Sequence, residues 1–285
     1  MPQGRTKKAL IIILVIVVLV LFAALIRGLI GRPSGERIGV LEIDGVITDS
    51  KETMEQIVKF KDDRTIKAVV LRINSPGGGV GPTQEIYREV VKLRDKKKVY
   101  VSMGSVCASG GYYIASVGER IYANPSTITG SIGVIMQLTV MEDLLKKLGL
   151  KTTTIKAGRL KDAGTPFRAM TPEERVYLSS LARAIHEQFI ADIATGRKMQ
   201  IEAAKKLADG RVFTGTQAKE LGLVDAIGNF YDTVDELKKT TGIKGKPELV
   251  YGEKRFSLSR WLFSTFWRGL INELFSAQYN YLLAL

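Results

Sequence analysis

The sequence predicts an α/β fold on a mostly parallel sheet, followed by C-terminal helices and preceded by a transmembrane helix. Three observations carry this expectation. Apolar, β-branched runs alternate with segments of helical spacing up to about residue 165, the pattern of a parallel sheet covered by helices. Two of those runs end in glycine-rich turns, NSPGGG and SVCASGGYY. An uncharged apolar stretch stands near the N-terminus.

That stretch, Ala9 to Ile26, is eighteen residues without a charge. As a helix it is about 27 Å long, close to the thickness of a bilayer's hydrocarbon core. A cleaved signal peptide is the alternative, but its apolar core would be shorter, and no clear A-x-A site follows. An uncleaved anchor is the better account. Arg5, Lys7 and Lys8 precede it and favour a cytoplasmic N-terminus, although Arg27, Arg32 and Arg37 follow it.

Beyond the linker-like GRPSGER, RIGVLEIDGVI (37–47) has the pattern of a strand and turn, and residues 50–62 that of a helix. IKAVVLRI (66–73) is a continuous apolar run, as expected of a buried strand. TQEIYREVVKLRD (83–95) repeats apolar residues at helical spacing through Ile86, Val90 and Leu93. KVYVSM (98–103) is the next strand, followed by a helix from about Ser109. RIYAN, SIGVIMQL and KTTTIKA are expected as further strands, with MEDLLKKLG a short helix stopped by Gly149. Thr171 and Pro172 open a long helix as N-cap and first helical residue, and IEAAKKLADG and GTQAKELGLVD are further helical units. The end of the chain is aromatic, with Leu258, Leu262, Phe266, Leu270 and Leu274 at helical steps. This fits a packing helix and an interfacial membrane helix equally.

The 285 residues carry a net charge of +13 without a lysine–aromatic block, which disfavours nucleic acid as a partner and suits an acidic membrane surface. One cysteine, Cys107, excludes an internal disulfide. No metal-ligand spacing is present, and one histidine, His186, stands in the middle of a helical segment.

The two glycine turns carry the candidate chemistry. Parallel strands gather their carboxyl ends along one edge, where ligands bind. Glycines there admit a substrate backbone and free N–H groups to meet an oxyanion. Neither turn matches a phosphate loop. Ser109 is either a plain N-cap or a nucleophile, whereas Ser102, Ser105 and Cys107 fit structural roles. A serine nucleophile needs a base. With histidine so scarce, a lysine kept neutral by desolvation is the alternative, and IKAGRLKDAGTPF offers Lys156 and Lys161.

INSPGGGV, SMGSVCASGGYYIAS, TGSIGV and KAGRLKDAGTPFRAMTPEER, in this order, resemble the short, membrane-anchored form of the signal peptide peptidase A family over roughly residues 37–240. The resemblance implies a fold of repeated ββα units like those of Clp proteases and crotonases, assembled as a ring-shaped homo-oligomer. It implies Ser109 as nucleophile, Lys161 as general base and Ser131 as the residue orienting that lysine. The oxyanion donors would be the N–H groups of Gly110 and of Gly78, with Gly77 the less favoured choice. Cys107 stands where a smaller residue is usual, which leaves the dyad unaffected. The implied division is a cytoplasmic N-terminus (1–8), a transmembrane anchor (9–30), a linker (31–37), an extracytoplasmic peptidase domain (38–250) and an aromatic tail (251–285). The implied activity is a cofactor-free serine endopeptidase of the cell membrane that degrades cleaved signal peptides and similar apolar peptides. A crotonase-fold acyl-CoA enzyme and a non-catalytic membrane scaffold are the alternatives.

Overall fold

The computed structural model describes residues 13–22 and 36–252. Residues 13–22 are helical (α1) and belong to the expected anchor, the rest of which lies outside the described residues. Among the described residues no helix is long and apolar enough to cross a membrane. Most of the linker 31–37 and of the tail 251–285 also lies outside them.

From Arg37 onward, strands and helices alternate as expected: β1 (Arg37–Asp44), α2 (Lys51–Asp62), β2 (Ile66–Ser75), α3 (Val80–Arg94), β3 (Lys98–Ala108), α4 (Gly110–Ala115) and β4 (Arg120–Ala123). Then come β5 (Ile128–Gly130), α5 (Glu142–Lys147), α6 (Pro172–Gly196), α7 (Ile201–Lys206), β6 (Val212–Thr214), α8 (Gly215–Glu220), β7 (Ala226–Ile227), α9 (Phe230–Thr241) and β8 (Glu248–Tyr251). The sheet runs β6-β5-β3-β2-β1-β8, with β4 pairing β3 and β7. All pairs are parallel except β5 with β6.

The alternation of side chains along β2 divides the core. Val69, Leu71 and Ile73 pack with α3 residues Ile86, Val90 and Leu93 on one face. Ala68 and Val70 pack with Val234 and Leu237 of α9 on the other. A parallel sheet covered on both faces in this way produces unbroken apolar runs such as IKAVVLRI. The long α6 begins as the sequence indicates: Thr171 and Glu174 form a reciprocal capping box, with Pro172 in the first turn. At its other end Gly196 approaches the α4 terminus so closely that a Cβ would stand 2.4 Å from the Ser116 carbonyl oxygen.

Two expected strands are absent. SIGVIMQL (131–138) and KTTTIKA (151–157) have no regular structure; Ile132 reaches the core, but later apolar side chains face outward, with Ile135 89% and Ile155 97% exposed. Their β-branched composition favours a strand, but no neighbouring strand offers them a ladder. In the same region β5 lies earlier, at Ile128–Gly130. β3 is longer than expected and runs through SMGSVCA, because its first half pairs with β4 and its second half with β5.

Candidate active site

β2 and β3 are parallel neighbours, so the turns that follow them emerge side by side. The register slips between Ile73 and Ser75, where Ser75 pairs with Cys107. This bulge brings the two turns into backbone contact. A Cβ on Gly77 would stand 2.6 Å from the Gly110 nitrogen and 2.9 Å from Ser109 Cβ. Gly77 also has φ +99°, which strains any side-chain-bearing residue.

Hydrogen bonds set the direction of the first candidate oxyanion donor, Gly78, and helix position that of the second, Gly110. Ile47 N–H donates to the Gly77 carbonyl at 2.9 Å, and Gly79 N–H donates to the Ile47 carbonyl at 2.8 Å. In a planar trans peptide the C=O and the next N–H point opposite ways. The Gly78 N–H is therefore directed away from Ile47, and Gly78 is among the residues lining the cavity beside Ser109. A Cβ on Gly78 would stand 2.1 Å from the Ile47 oxygen, so this pairing needs glycine. The Gly110 N–H heads the first turn of α4, where an amide has no intrahelical acceptor.

Ser109 occupies the strand-to-helix turn at φ 51°, ψ −120°. Its backbone is pinned by Ser109 N–H to the Gly130 carbonyl and Tyr113 N–H to the Ser109 carbonyl, both 2.8 Å. Its side chain makes no capping hydrogen bond, so the plain N-cap role is unfilled. A strained serine between a strand and a helix is also the geometry of a nucleophile elbow. Ser131 has a positive φ as well, 51°, immediately after the glycine that anchors Ser109.

The cavity at Ser109 is about 110 Å³ and is walled by Val80, Val134, Ile135, Ile185 and Phe189. Tyr113 closes it, stacked on Tyr87 at 4.6 Å and edge-on to Phe189 at 4.7 Å. The Tyr113 hydroxyl donates to Asp192, and burial, followed by Asp192, pushes its pKa up, so it stays protonated. Burial likewise pushes the Cys107 thiol up, which disqualifies it as a thiolate nucleophile. A His186 ring nitrogen lies 3.3 Å from the Ile132 carbonyl. Among the described residues no cluster of acidic, histidine or cysteine side chains is arranged to hold a metal.

The structure thus brings Gly77, Gly78, Ser109 and Gly110 together, with Ser131 one residue from the Gly130 anchor. It does not bring Lys161 into that cavity. Lys161 is exposed and lines an open hollow with Ala157, Gly158, Arg159, Leu160 and Tyr177. Tyr177 and Ile185, on the two hollows, are about 12 Å apart along α6. Lys156 is engaged elsewhere, donating to the Arg159 carbonyl at 3.0 Å and pairing with Asp162.

The Lys161 loop is clamped through its neighbour. Asp162 accepts from Arg168 at 2.8 Å, and Arg168 also pairs with the buried Glu174 of the capping box. Hydrogen bonds from Lys156, then Arg168, hold the Asp162 carboxyl down at about 2. Arg168, then the Thr171 N–H, hold that of Glu174 at about 2. The sequence does not mark Arg168 as part of the site, because an arginine three residues before a helix cap has no distinctive spacing.

Comparison with known proteins supplies the family. A strained serine flanked by glycine amides on a Clp-like sheet defines a hydrolase-type site. A model of peptidase family S49 matches residues 91–244, and one of Clp proteases matches residues 36–129. The chain is 35% identical over 254 residues to a putative signal peptide peptidase SppA of Enterococcus faecium, covering 83% of this chain and 74% of that one. It is 41% identical over 198 residues to a putative protease of Synechocystis sp., covering 69% and 72% of the two chains. It is 32% identical over 206 residues to a chloroplastic serine protease SPPA of Arabidopsis thaliana, covering 72% of this chain and 30% of that one. The chain belongs to peptidase family S49, among its SppA-like proteases.

Two outcomes follow. Gly77→Ala places a Cβ against the Gly110 amide, so it should lower kcat on a peptide ester at least about 100-fold. Gly81→Ala meets nothing within 4 Å and should leave kcat unchanged. The depressed carboxyls make the Asp162–Arg168–Glu174 clamp a contributor present above pH 4.5 and lost as pH falls through about 2. In Arg168→Ala, carboxyl titration by NMR should return Glu174 toward 4.5 and raise Asp162 only in part toward 3.8, because Lys156 still holds it. Unchanged titrations would remove Arg168 from the clamp.

Proposed function

We propose that this chain is a serine endopeptidase in which Ser109 attacks the peptide carbonyl while the N–H groups of Gly78 and Gly110 hold the oxyanion. The observation that carries this reading is the backbone contact of the two glycine turns around an uncapped serine. Lys161 takes the Ser109 proton, with Ser131 orienting it, and returns the proton to the leaving amine. Water then hydrolyses the acyl-enzyme, and no cofactor is needed. The base must be uncharged when it acts, which requires water to be excluded around it.

Lys161 is exposed in the single chain, so the dyad forms only if segment 132–171 closes over Ser109 or a second copy presents its own lysine. The exposed apolar residues on that segment, Ile135, Leu138, Val140, Leu144, Leu148, Leu150 and Ile155, support assembly into a homo-oligomer, with a ring as the proposed form. The substrates are cleaved signal peptides and similar apolar peptides. The apolar cavity wall supports this choice, as do the relatives' printed names. The apolar stretch at 9–26 anchors the enzyme to the cell membrane, with the N-terminus cytoplasmic and the catalytic domain outside.

Turnover of a peptide ester with small apolar residues tests the dyad. Ser109→Ala should lose at least about 10³-fold in kcat. Lys161→Ala should lose roughly 10²–10⁴-fold and its pH dependence. Undiminished turnover by Ser109→Ala would end the serine assignment, and an unchanged pH profile with retained activity in Lys161→Ala would end that of the lysine.

A further inference from the structure

Beside the two turns stands Thr83, a residue that the catalytic assignment leaves unused. It lies in the first turn of α3, is 3% exposed and lines the Ser109 cavity. Its Oγ1 alone, among buried side-chain polar atoms of the described residues, has no hydrogen-bond partner.

The orientation of this side chain is unusual for a helical threonine, whose hydroxyl commonly returns to the carbonyl three or four residues back. Here the Gly79 carbonyl accepts only the Thr83 backbone N–H, at 3.1 Å. The hydroxyl is turned instead to the seam between the turns. A Cβ built on Gly110 would stand 2.7 Å from Thr83 Oγ1, 3.2 Å from Thr83 Cγ2 and 3.4 Å from Gly77 Cα. The threonine is therefore part of the reason that residue 110 is glycine.

An unpaired buried hydroxyl destabilises a resting fold, and one kept beside a nucleophile calls for a partner. Water does not reach Oγ1, so the partner comes from the wall itself. Of the other polar side chains on that wall, Tyr113 donates to Asp192 and Gln84 hydrogen-bonds Tyr113, leaving the Ser109 hydroxyl, which caps nothing.

We propose that Thr83 is a positioning residue whose O–H donates to Ser109 Oγ in the working enzyme. With Oγ accepting from Thr83, the Ser109 proton is left directed at the base. The bond strengthens as negative charge grows on Oγ. This role rests on the reading of Ser109 as the nucleophile.

The test compares Thr83→Val, which keeps the shape and removes the hydroxyl, with Thr83→Ser, which keeps the hydroxyl. Both are assayed in the full chain for kcat, KM, thermal midpoint and rate of labelling by a fluorophosphonate, with Ser109→Ala alongside. Thr83→Val should lose roughly 10- to 100-fold in kcat and labelling rate, with KM unchanged and the midpoint equal or higher. Thr83→Ser should retain most of the kcat. If Thr83→Val does not fold, Thr83→Ala against Thr83→Ser reads the same hydroxyl. Wild-type kcat in Thr83→Val with an inactive Ser109→Ala overturns the role of Thr83 alone. Equal losses in Thr83→Val and Thr83→Ser with lowered midpoints reduce Thr83 to packing and also overturn it. An active Ser109→Ala overturns the catalytic reading itself.

Discussion

The site depends on one close approach, between the backbone after β2 and the backbone after β3. At 2.6 Å from the Gly110 nitrogen, the place where a Gly77 Cβ would sit is already taken. Only glycine allows the two turns to meet, and only their meeting puts two outward amides beside one hydroxyl. The parallel pairing of β2 with β3 and its bulge set up the approach. The isolated bridge between Ile47 and Gly78 then fixes the peptide plane that aims the first donor. The contact is paid for in strain: of the three non-glycine residues with positive φ among the described residues, two are Ser109 and Ser131. Each such conformation costs on the order of 1–3 kcal/mol and persists where surrounding bonds over-determine it. The Ser109–Gly130 and Tyr113–Ser109 bonds, and Ser131 N–H to the Arg211 carbonyl at 2.8 Å, are those bonds.

The sheet's central strands were legible because burial on both faces leaves no polar positions to interrupt an apolar run. Both β1 and β2 begin where expected, and α6 carries its cap in its sequence. The runs at 131–138 and 151–157 misled because a β-branched pattern records propensity, whereas a strand also needs a partner ladder. The strands β6, β7 and β8 escaped notice for a related reason, whereas the unpredicted α9 does carry a sequence signal, its Asn229–Asp232 capping box. Strands of two to four residues, such as β6 and β7, are too short to show a period. For the site, the two glycine turns pointed to the sheet edge and offered Ser109 as either N-cap or nucleophile, whereas Gly78 and Gly110 as donors came from the family resemblance. Choosing Lys161 over Lys156 required the family resemblance. Thr83 had no signal at all, since its significance lies in the direction of one hydroxyl.

The same fold treats its two halves differently. The oxyanion side is built on strand ends in a dry core, where positions are set by the sheet. The lysine side is carried on a long irregular segment held by α5, by the Arg168 ion pairs and by the start of α6. With Lys161 as the proposed base carried apart from the proposed donor pair, catalysis would depend on whatever brings that segment over Ser109. Closure or assembly would then act as the switch between resting and working enzyme.

The most direct measurement is the location of a covalent adduct. After reaction of the full chain with an acylating inhibitor, trypsin should release Val99–Arg120 with the added mass, and fragmentation should place it on Ser109. An adduct on Ile121–Lys146, which holds Ser131, or on another residue of Val99–Arg120 would contradict the assignment.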